Sequence, residues 1–530
     1  MPQTTQAVLR FGDEYQAYLD KEYPLTDRPG FAVSTVRPSQ VLQFPGVTFE
    51  STMMVRRLME ENDRRFNIFG RPSFAHNHLP HHILTSYSLG ASPKHLQATF
   101  EANVKAMAPL PAPNMEGDES DQKGKETKES AVGSDAKELI INQDNWHDTK
   151  LLGVKDHYPA YLLFFHKEIE RIGGMETLEK YFFSSAANSG GKQNKKGPRM
   201  FTRLFSGAFH PWIHLGFALE FRDQVTLAEA FAQAAIHAGE ELGCAFPDNW
   251  PTVPSAKSHA RRRSSQTIDT DASFIDPRRT QVSASNMTGM MGNLHSNTTP
   301  LTFSTSVTTG YRNLAHVSLL EIYAELCESK DIEIPAYDPD MSINERLAAV
   351  VKGDQGEKIR KIADKWGLTE GELVKAGEAD GWARRVEELH ILCTLLAVGT
   401  GRAGKETRVD FFLMHCLTSS IFLSSVLVHL TPPHRLVILK SYLTVVLVTA
   451  LSRGRPRIDP EIVLAHTAFP SPRKVAKSND APGKDVEGLD EETETIGKLE
   501  DSTYGNFWTG VVDNALHAHG MSHGRKRIAG

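Results

Sequence analysis

Apolar residues recur at helical spacing in segment after segment of this 530-residue chain, and that rhythm constrains its fold more than any other feature. Residues 156–173 (DHYPAYLLFFHKEIERIG) set apolar side chains three and four apart and end on charges. Residues 226–242 (TLAEAFAQAAIHAGEEL) are Ala-rich and amphipathic behind a capping residue. Residues 314–329, 383–397 and 411–451 follow the same rule. Period-two runs are scarce, 45–49 being one short exception, and there is no strand–helix alternation of the kind a parallel sheet needs. The prediction is an all-α fold: one large helical domain without internal repeats.

Three polar stretches interrupt that rhythm and read as unfolded by composition. They divide the chain into 1–108, an insertion at 109–137, a core part at 138–250, an insertion at 251–300, a core part at 301–467, an insertion at 468–501, and a C-terminal segment and tail at 502–530. Such insertions also account for hydrophobic residues making up only 40% of the chain. A net charge of -6 argues against a general nucleic-acid binder, which normally carries a basic face. The four cysteines, Cys244, Cys327, Cys393 and Cys416, show no CxxC spacing, so neither a zinc ribbon nor a disulfide framework is expected. The start, MPQTTQAVLRFGDEYQ, lacks a charged residue followed by an apolar run. A cytoplasmic location is the expectation. Residues 411–430 are long enough to span a bilayer, but they hold His415, and the next apolar run holds Lys440. A buried helical hairpin without a transmembrane segment is favoured, since ionisable groups inside a membrane are costly.

Two short motifs carry little. Gly399, Gly401 and Gly404 match GxGxxG, yet the preceding LHILCTLLAV reads as helix, where a dinucleotide fingerprint needs a strand. A glycine loop between helices is favoured. Arg261-Arg-Arg-Ser-Ser265 lies in an insertion and reads as a solvated charge run, with a phosphorylation site as its alternative.

The 22 histidines are more informative. His78 and His82 lie four apart, as do His210 and His214, and residues four apart share a helix face. Pro211 suits a first helical turn, with His210 at the entrance. His390 and His415 stand alone in apolar segments. Any one of these reads most simply as a satisfied core histidine, but burying several imidazoles without a shared purpose is expensive. Helices facing a common interior are one way to build a metal site, and neutral imidazole suits iron, copper, zinc or nickel. No HExxH motif occurs. Lys440, alone in LVILKSYLTVVLV, either snorkels to the surface or sits desolvated as a neutral amine.

The segments NHLPHHILTSYSLGA, FHPWIHLGFALEF, DFFLMHCLTSSIFL and LSRGRPRID together resemble the questin oxidase family of fungal secondary metabolism, some of whose members are described as Baeyer–Villiger-type oxidases. The resemblance runs from about residue 45 to about 465 and extends to FWTGVVDNALHAH. It implies an oxidoreductase, a monooxygenase or non-haem iron dioxygenase, that uses dioxygen to cleave or oxygenate an aromatic polyketide such as an anthraquinone. The family label adds NADPH, for which this chain offers no dinucleotide motif. It further implies a non-haem iron held by several histidines and a carboxylated lysine. Carried onto this chain, the ligands are His78, His210, His390 and His415, with Lys440 as the lysine. Some relatives carry a lysine one turn after the position of His390, where this chain has Cys393. Phe205, Phe209, Trp212 and Phe217 would then face a flat ring or pack in the core. The competing readings are a non-catalytic helical ligand-binding protein and a metal-dependent hydrolase using the same histidines.

Overall fold

The computed structural model describes residues 11–25, 32–71, 75–110, 139–189, 197–239, 242, 245–247, 250–251, 317–336, 338, 340–374, 381–401 and 409–464. The insertions expected at 109–137, 251–300 and 468–501 lie outside the described residues except for Pro109, which ends β2, Leu110 and Pro251, as do the segment at 502–530, Arg261–Ser265, Cys244, the FWTGVVDNALHAH stretch and the end of the GxGxxG motif.

The elements run α1 (Asp13–Glu22), α2 (Phe49–Arg65), β1 (Phe66–Gly70), α3 (Leu79–Ser88), α4 (Pro93–Val104), β2 (Met107–Pro109), α5 (Tyr158–Ile172), α6 (His210–Phe221), α7 (Gln224–Ile236), α8 (Leu319–Glu328), α9 (Ile343–Val350), α10 (Gln355–Asp364), α11 (Trp382–Val398), α12 (Phe411–Ser420), α13 (Leu423–Leu427) and α14 (Pro432–Ser452), with short helical turns between 174 and 203. Helix therefore dominates, as the periodicity predicts. The strands β1 and β2 pair antiparallel and form the sheet among the described residues. The short strand expected at 45–49 is instead a turn leading into α2. Gly46 has φ 108°, and its backbone packs so tightly on Gly90 that a Cβ there would lie 2.5 Å from the Gly90 carbonyl oxygen. Thr48 then caps α2 by accepting from Ser51 N, with Ser51 Oγ accepting from Thr48 N in return.

Two helices form the centre. In α7 every residue from Val225 to Ile236 is buried, and in α14 every residue from Ser441 to Leu451. Helices apolar all round have to be enclosed by others. α7 packs between α5 and α6 and touches α2, while α9, α10 and α12 pack against α14. α14 is long and apolar enough to cross a membrane, but most of its apolar stretch is buried inside the protein. The expected 411–451 hairpin is three helices, because the chain breaks at Ile421–Phe422 between α12 and α13. Trp212 ties α6 to α12 by donating from Nε1 to the Ser419 carbonyl at 3.1 Å. Phe422 sits over Gly216, where any Cβ would meet its ring at 2.3 Å. Asp223 ends the α6–α7 turn: its Oδ2 accepts from Thr226 N and Oγ1, and its Oδ1 from Ser34 Oγ and Thr35 N. These contacts fix α6, α7 and α12 around one interior region, and α3 packs against α6 beside it.

Candidate active site

The segment before α3 is held by backbone hydrogen bonds to β1: Asn77 N donates to Ile68 O, and Phe69 bridges His76. Asn77 Oδ1 accepts from Leu79 N, so the chain turns abruptly and His78 becomes the residue that opens α3, with Pro80 in the first turn. His76, His78 and His81 thereby point to one side. On the opposite side, Gly207, Ala208 and Phe209 take left-handed backbone at φ 56°, 55° and 64°. That turn swings the chain so that α6 begins at His210, with Pro211 following as expected. α7 stops at Ile236, short of the expected 242, and His237 follows in extended backbone. His415 comes from α12.

Seven imidazoles meet here. His78 Nε2 lies 2.9 Å from His210 Nε2, His76 Nε2 lies 2.9 Å from His237 Nε2, and His81 Nε2 lies 3.0 Å from His214 Nδ1. His76 stacks on His210 with centroids 3.7 Å apart, and the His415 ring is 4.9 Å from that of His210. Three rings are tied back by their other nitrogen. His210 Nδ1 donates to Gly207 O at 2.5 Å, His237 Nδ1 to Gln233 O at 2.6 Å, and His415 Nδ1 to Phe411 O at 2.6 Å. A carbonyl can only accept, so Nδ1 carries the proton in each neutral ring and Nε2 is left as a lone pair. Carbonyl-anchored Nδ1 is the usual outer-shell arrangement of a metal-binding histidine. Neighbouring donors on an ion about 2.1 Å away lie roughly 3 Å apart, close to the two Nε2–Nε2 distances. Among the described residues, no three His, Cys, Asp or Glu side chains converge on a single point as they stand.

Burial, reinforced by the neighbouring rings, holds protonation of His76, His81 and His210 well below the ordinary histidine range. Burial pushes His214 down to about 3 and His237 down to about 4. These five rings are therefore neutral near pH 7, as ligation requires. His210, His214, His237 and His415 are buried, His76 and His81 are half-buried, and His78 is exposed, so the cluster is open on the α3 side.

A buried polar layer backs the rings. His214 Nε2 lies 2.7 Å from Glu229 Oε2, Glu229 Oε1 accepts from Asn62 Nδ2 at 2.8 Å, and Asn62 Oδ1 accepts from Asn77 Nδ2 at 2.9 Å. Beside it, His166 Nε2 meets Asp63 Oδ1 at 2.9 Å, and this carboxylate outweighs burial and holds His166 above its ordinary range.

Of the residues read from the sequence, the structure brings His78, His210 and His415 together. His390 lies with Nδ1 3.0 Å from Ser420 Oγ, and Lys440 pairs with Asp364 at 3.2 Å with 30% of its side chain exposed. Lys440 thus snorkels. Cys393 is buried in α11. His82, expected to share a helix face with His78, turns away toward Asn103, and His81 faces the interior instead, where it meets His214. His76, His81 and His237 were not among the predicted residues. The Asn-before-helix and Ala-Gly-after-helix signals beside them were the available clues. Phe205, Phe209 and Trp212 stack with one another and with Tyr442 in the core, and only Phe217 reaches the cluster, 4.8 Å from the His81 ring and nearly parallel to it. Gly399 follows helix α11, not a strand.

The sequence model of the questin oxidase-like family matches residues 75–526. A Baeyer-Villiger oxidase of Pestalotiopsis microspora is 24% identical over 380 residues, 72% of this chain and 65% of the relative. A Baeyer-Villiger oxidase of Emericella nidulans is 25% identical over 381 residues, 71% of this chain and 64% of the relative. A questin oxidase of Aspergillus fumigatus is 30% identical over 181 residues, 34% of each chain. The chain spans less than two thirds of the length of these relatives. With the family match running through all three histidine-bearing regions, the chain belongs to the questin oxidase-like family.

Proposed function

We propose that this chain is an oxidoreductase that uses dioxygen to cleave or oxygenate the ring of an aromatic polyketide of the anthraquinone kind. The observation that carries the reading is the set of carbonyl-anchored imidazoles of His210, His237 and His415, two of which face His78 and His76 at 2.9 Å. The family membership and the names of the relatives supply the reaction class.

The donor set fits a divalent first-row metal, with iron the reading implied by the family resemblance. His78 and His210 would hold it, with His415, His76 and His237 as the adjoining donors. When bound, such an ion supplies the one-electron chemistry that lets triplet dioxygen react with a closed-shell ring. The protein's own contribution is placement and exclusion of water. The backbone carbonyls of Gly207, Gln233 and Phe411 fix the ring planes, and the packed aromatic side chains behind α6 keep that wall dry. The exposed face of His78 and the half-buried faces of His76 and His81 leave a side from which a flat substrate enters. His390 and Lys440 are engaged elsewhere and have no ligand role in this reading. The reductant NADPH, if used, would be recognised without the GxGxxG segment.

The test is purified protein with its metal quantified, supplied with questin under labelled dioxygen. Stoichiometric iron and a product carrying one or two labelled atoms are expected. Product without label, or full turnover by His210→Ala, refutes the oxidative metal reading.

A further inference from the structure

The chain His81–His214–Glu229–Asn62–Asn77 starts and ends on the α3 segment, and only its first ring faces the open side. Each neutral imidazole carries one proton, so the direction of donation along the chain is set wholly by Glu229. If Glu229 is ionised, it accepts from His214 Nε2, His214 Nδ1 accepts from His81 Nε2, and His81 Nδ1 is left an acceptor. If Glu229 is a neutral acid, the two bonds between it and His81 reverse, those from Asn62 and Asn77 stay as they are, and His81 Nδ1 bears the proton.

The surroundings of Glu229 decide between these. Two carboxyls, Asp63 and Glu229, are buried in this layer, and the cation that faces them, His166, is bonded to Asp63. Arg64 also acts on Asp63, and Asp223 adds a further negative charge. The direct partners of Glu229 are Asn62, which is neutral, and His214, which burial keeps neutral. A fully buried carboxylate without a cation of its own is among the costliest groups in a protein interior, so the carboxyl keeps its proton. Burial first and the Asp63 charge second push it well above the usual carboxylate range. Glu229 Oε2–H then donates to His214 Nε2, and His214 Nδ1–H donates to His81 Nε2. Among the described residues His81 Nδ1 has no hydrogen-bond partner, and its ring is held flat against Phe217.

We propose that His81 binds a substrate carbonyl oxygen as a hydrogen-bond donor through Nδ1–H, and that Glu229, acting through His214, is the positioning residue that keeps the proton on that nitrogen. The step is a hydrogen bond, with no proton or electron transferred. The ligand class is an aromatic ketone, and the inference rests on the oxidative reading above only for that class. A donor at this atom polarises the carbonyl carbon next to the bond that a Baeyer–Villiger-type or ring-opening reaction breaks.

The experiment is anaerobic binding of 2-hydroxyanthraquinone to the whole protein, read by dissociation constant and by the infrared carbonyl stretch of the bound probe. In the wild type a carbonyl band at lower frequency than in water-free solvent is expected. Glu229→Gln keeps that shift, because its amide donates to His214 Nε2 while its oxygen still accepts from Asn62. Glu229→Leu and His81→Phe lose the shift and weaken binding about tenfold, the worth of one hydrogen bond. His81 is half-buried at the open side, so His81→Phe remains informative even where Glu229→Leu fails to fold. An unshifted carbonyl in the wild type, or a Glu229→Gln protein that loses the shift, overturns the proposal while binding itself leaves the aromatic-ketone reading standing. No binding by any variant removes that reading and the proposal with it.

Discussion

Replacing Gly207 by alanine tests whether the left-handed turn before α6 is what brings the two sides of the histidine cluster together. Gly207 has φ 56°, and a Cβ built on it would lie 2.3 Å from His237 Nε2, 2.6 Å from His237 Cδ2 and 3.1 Å from His76 Nε2. Two costs follow. Holding alanine at positive φ costs about 1 kcal/mol. The ring of His237 must also move by roughly an ångström out of a packed site, breaking its Nδ1 bond to Gln233 O and costing about 2 kcal/mol more. Gly353 provides the control, since its φ is 68° and nothing lies within 4 Å of an added Cβ. Gly353→Ala pays the backbone cost alone. Urea unfolding should therefore give a loss of about 1 kcal/mol for Gly353→Ala and about 3 kcal/mol for Gly207→Ala. Metal retention should fall in Gly207→Ala and stay at the wild-type level in Gly353→Ala. Equal destabilisation of the two variants, with equal metal content, would refute the argument that Gly207 is there for the rings.

Stability should also depend on pH in a definite direction. His214 and His237 titrate at about 3 and about 4 in the folded protein against about 6.5 when unfolded, so the unfolded chain binds more protons between those values. Folding free energy is complete above pH 6.5 and is lost as the pH falls toward 4. A flat stability profile between pH 7 and 5 would contradict the assignment of neutral buried rings. Lys440→Met removes a half-exposed ion pair to Asp364 and should change stability by less than about 1 kcal/mol. On the metal reading proposed above, it leaves the metal content unchanged whereas His210→Ala lowers it; metal analysis of the two variants decides. Asp223→Ala leaves Ser34, Thr35 and Thr226 without their buried acceptor and should cost about 3 kcal/mol, measured by urea midpoint, with a value below 1 counting against the capping account.

Helix periodicity was enough to find α5, α11 and α14 to within a few residues, because their apolar faces repeat over three or more turns. It misplaced the end of α7, and with it His237. An Ala-rich run has no periodic edge, and the stop is made by tertiary bonds such as Gly153 N to Ala235 O. The pairing of His78 with His82 assumed that both sat inside one helix. Asn77 bends the chain at that point, so His78 opens α3 and the ring three residues on, His81, takes the inward position. His210 and His415 were legible because each sits in a segment too apolar to tolerate a solvated histidine. His390 satisfied the same rule and yet meets Ser420, since a hydroxyl on a neighbouring helix is a sufficient partner for a half-buried imidazole. Burial of a lysine in sequence likewise says nothing of reach. Asp364 on α10 lies within the length of the Lys440 side chain, and the charge escapes to it.

The rings that meet here belong to stretches as far apart as residues 76 and 415, and the bond that docks α12 on α6 joins Trp212 to Ser419. None of the helices that bear them carries a complete set. A piece of the chain ending before α12 would keep six of the seven imidazoles but lose both His415 and the carbonyl that seats Trp212. Nor does the site travel on a short motif that recombination could graft onto another scaffold. It exists only as a property of the finished helical assembly, and its parts must be inherited together.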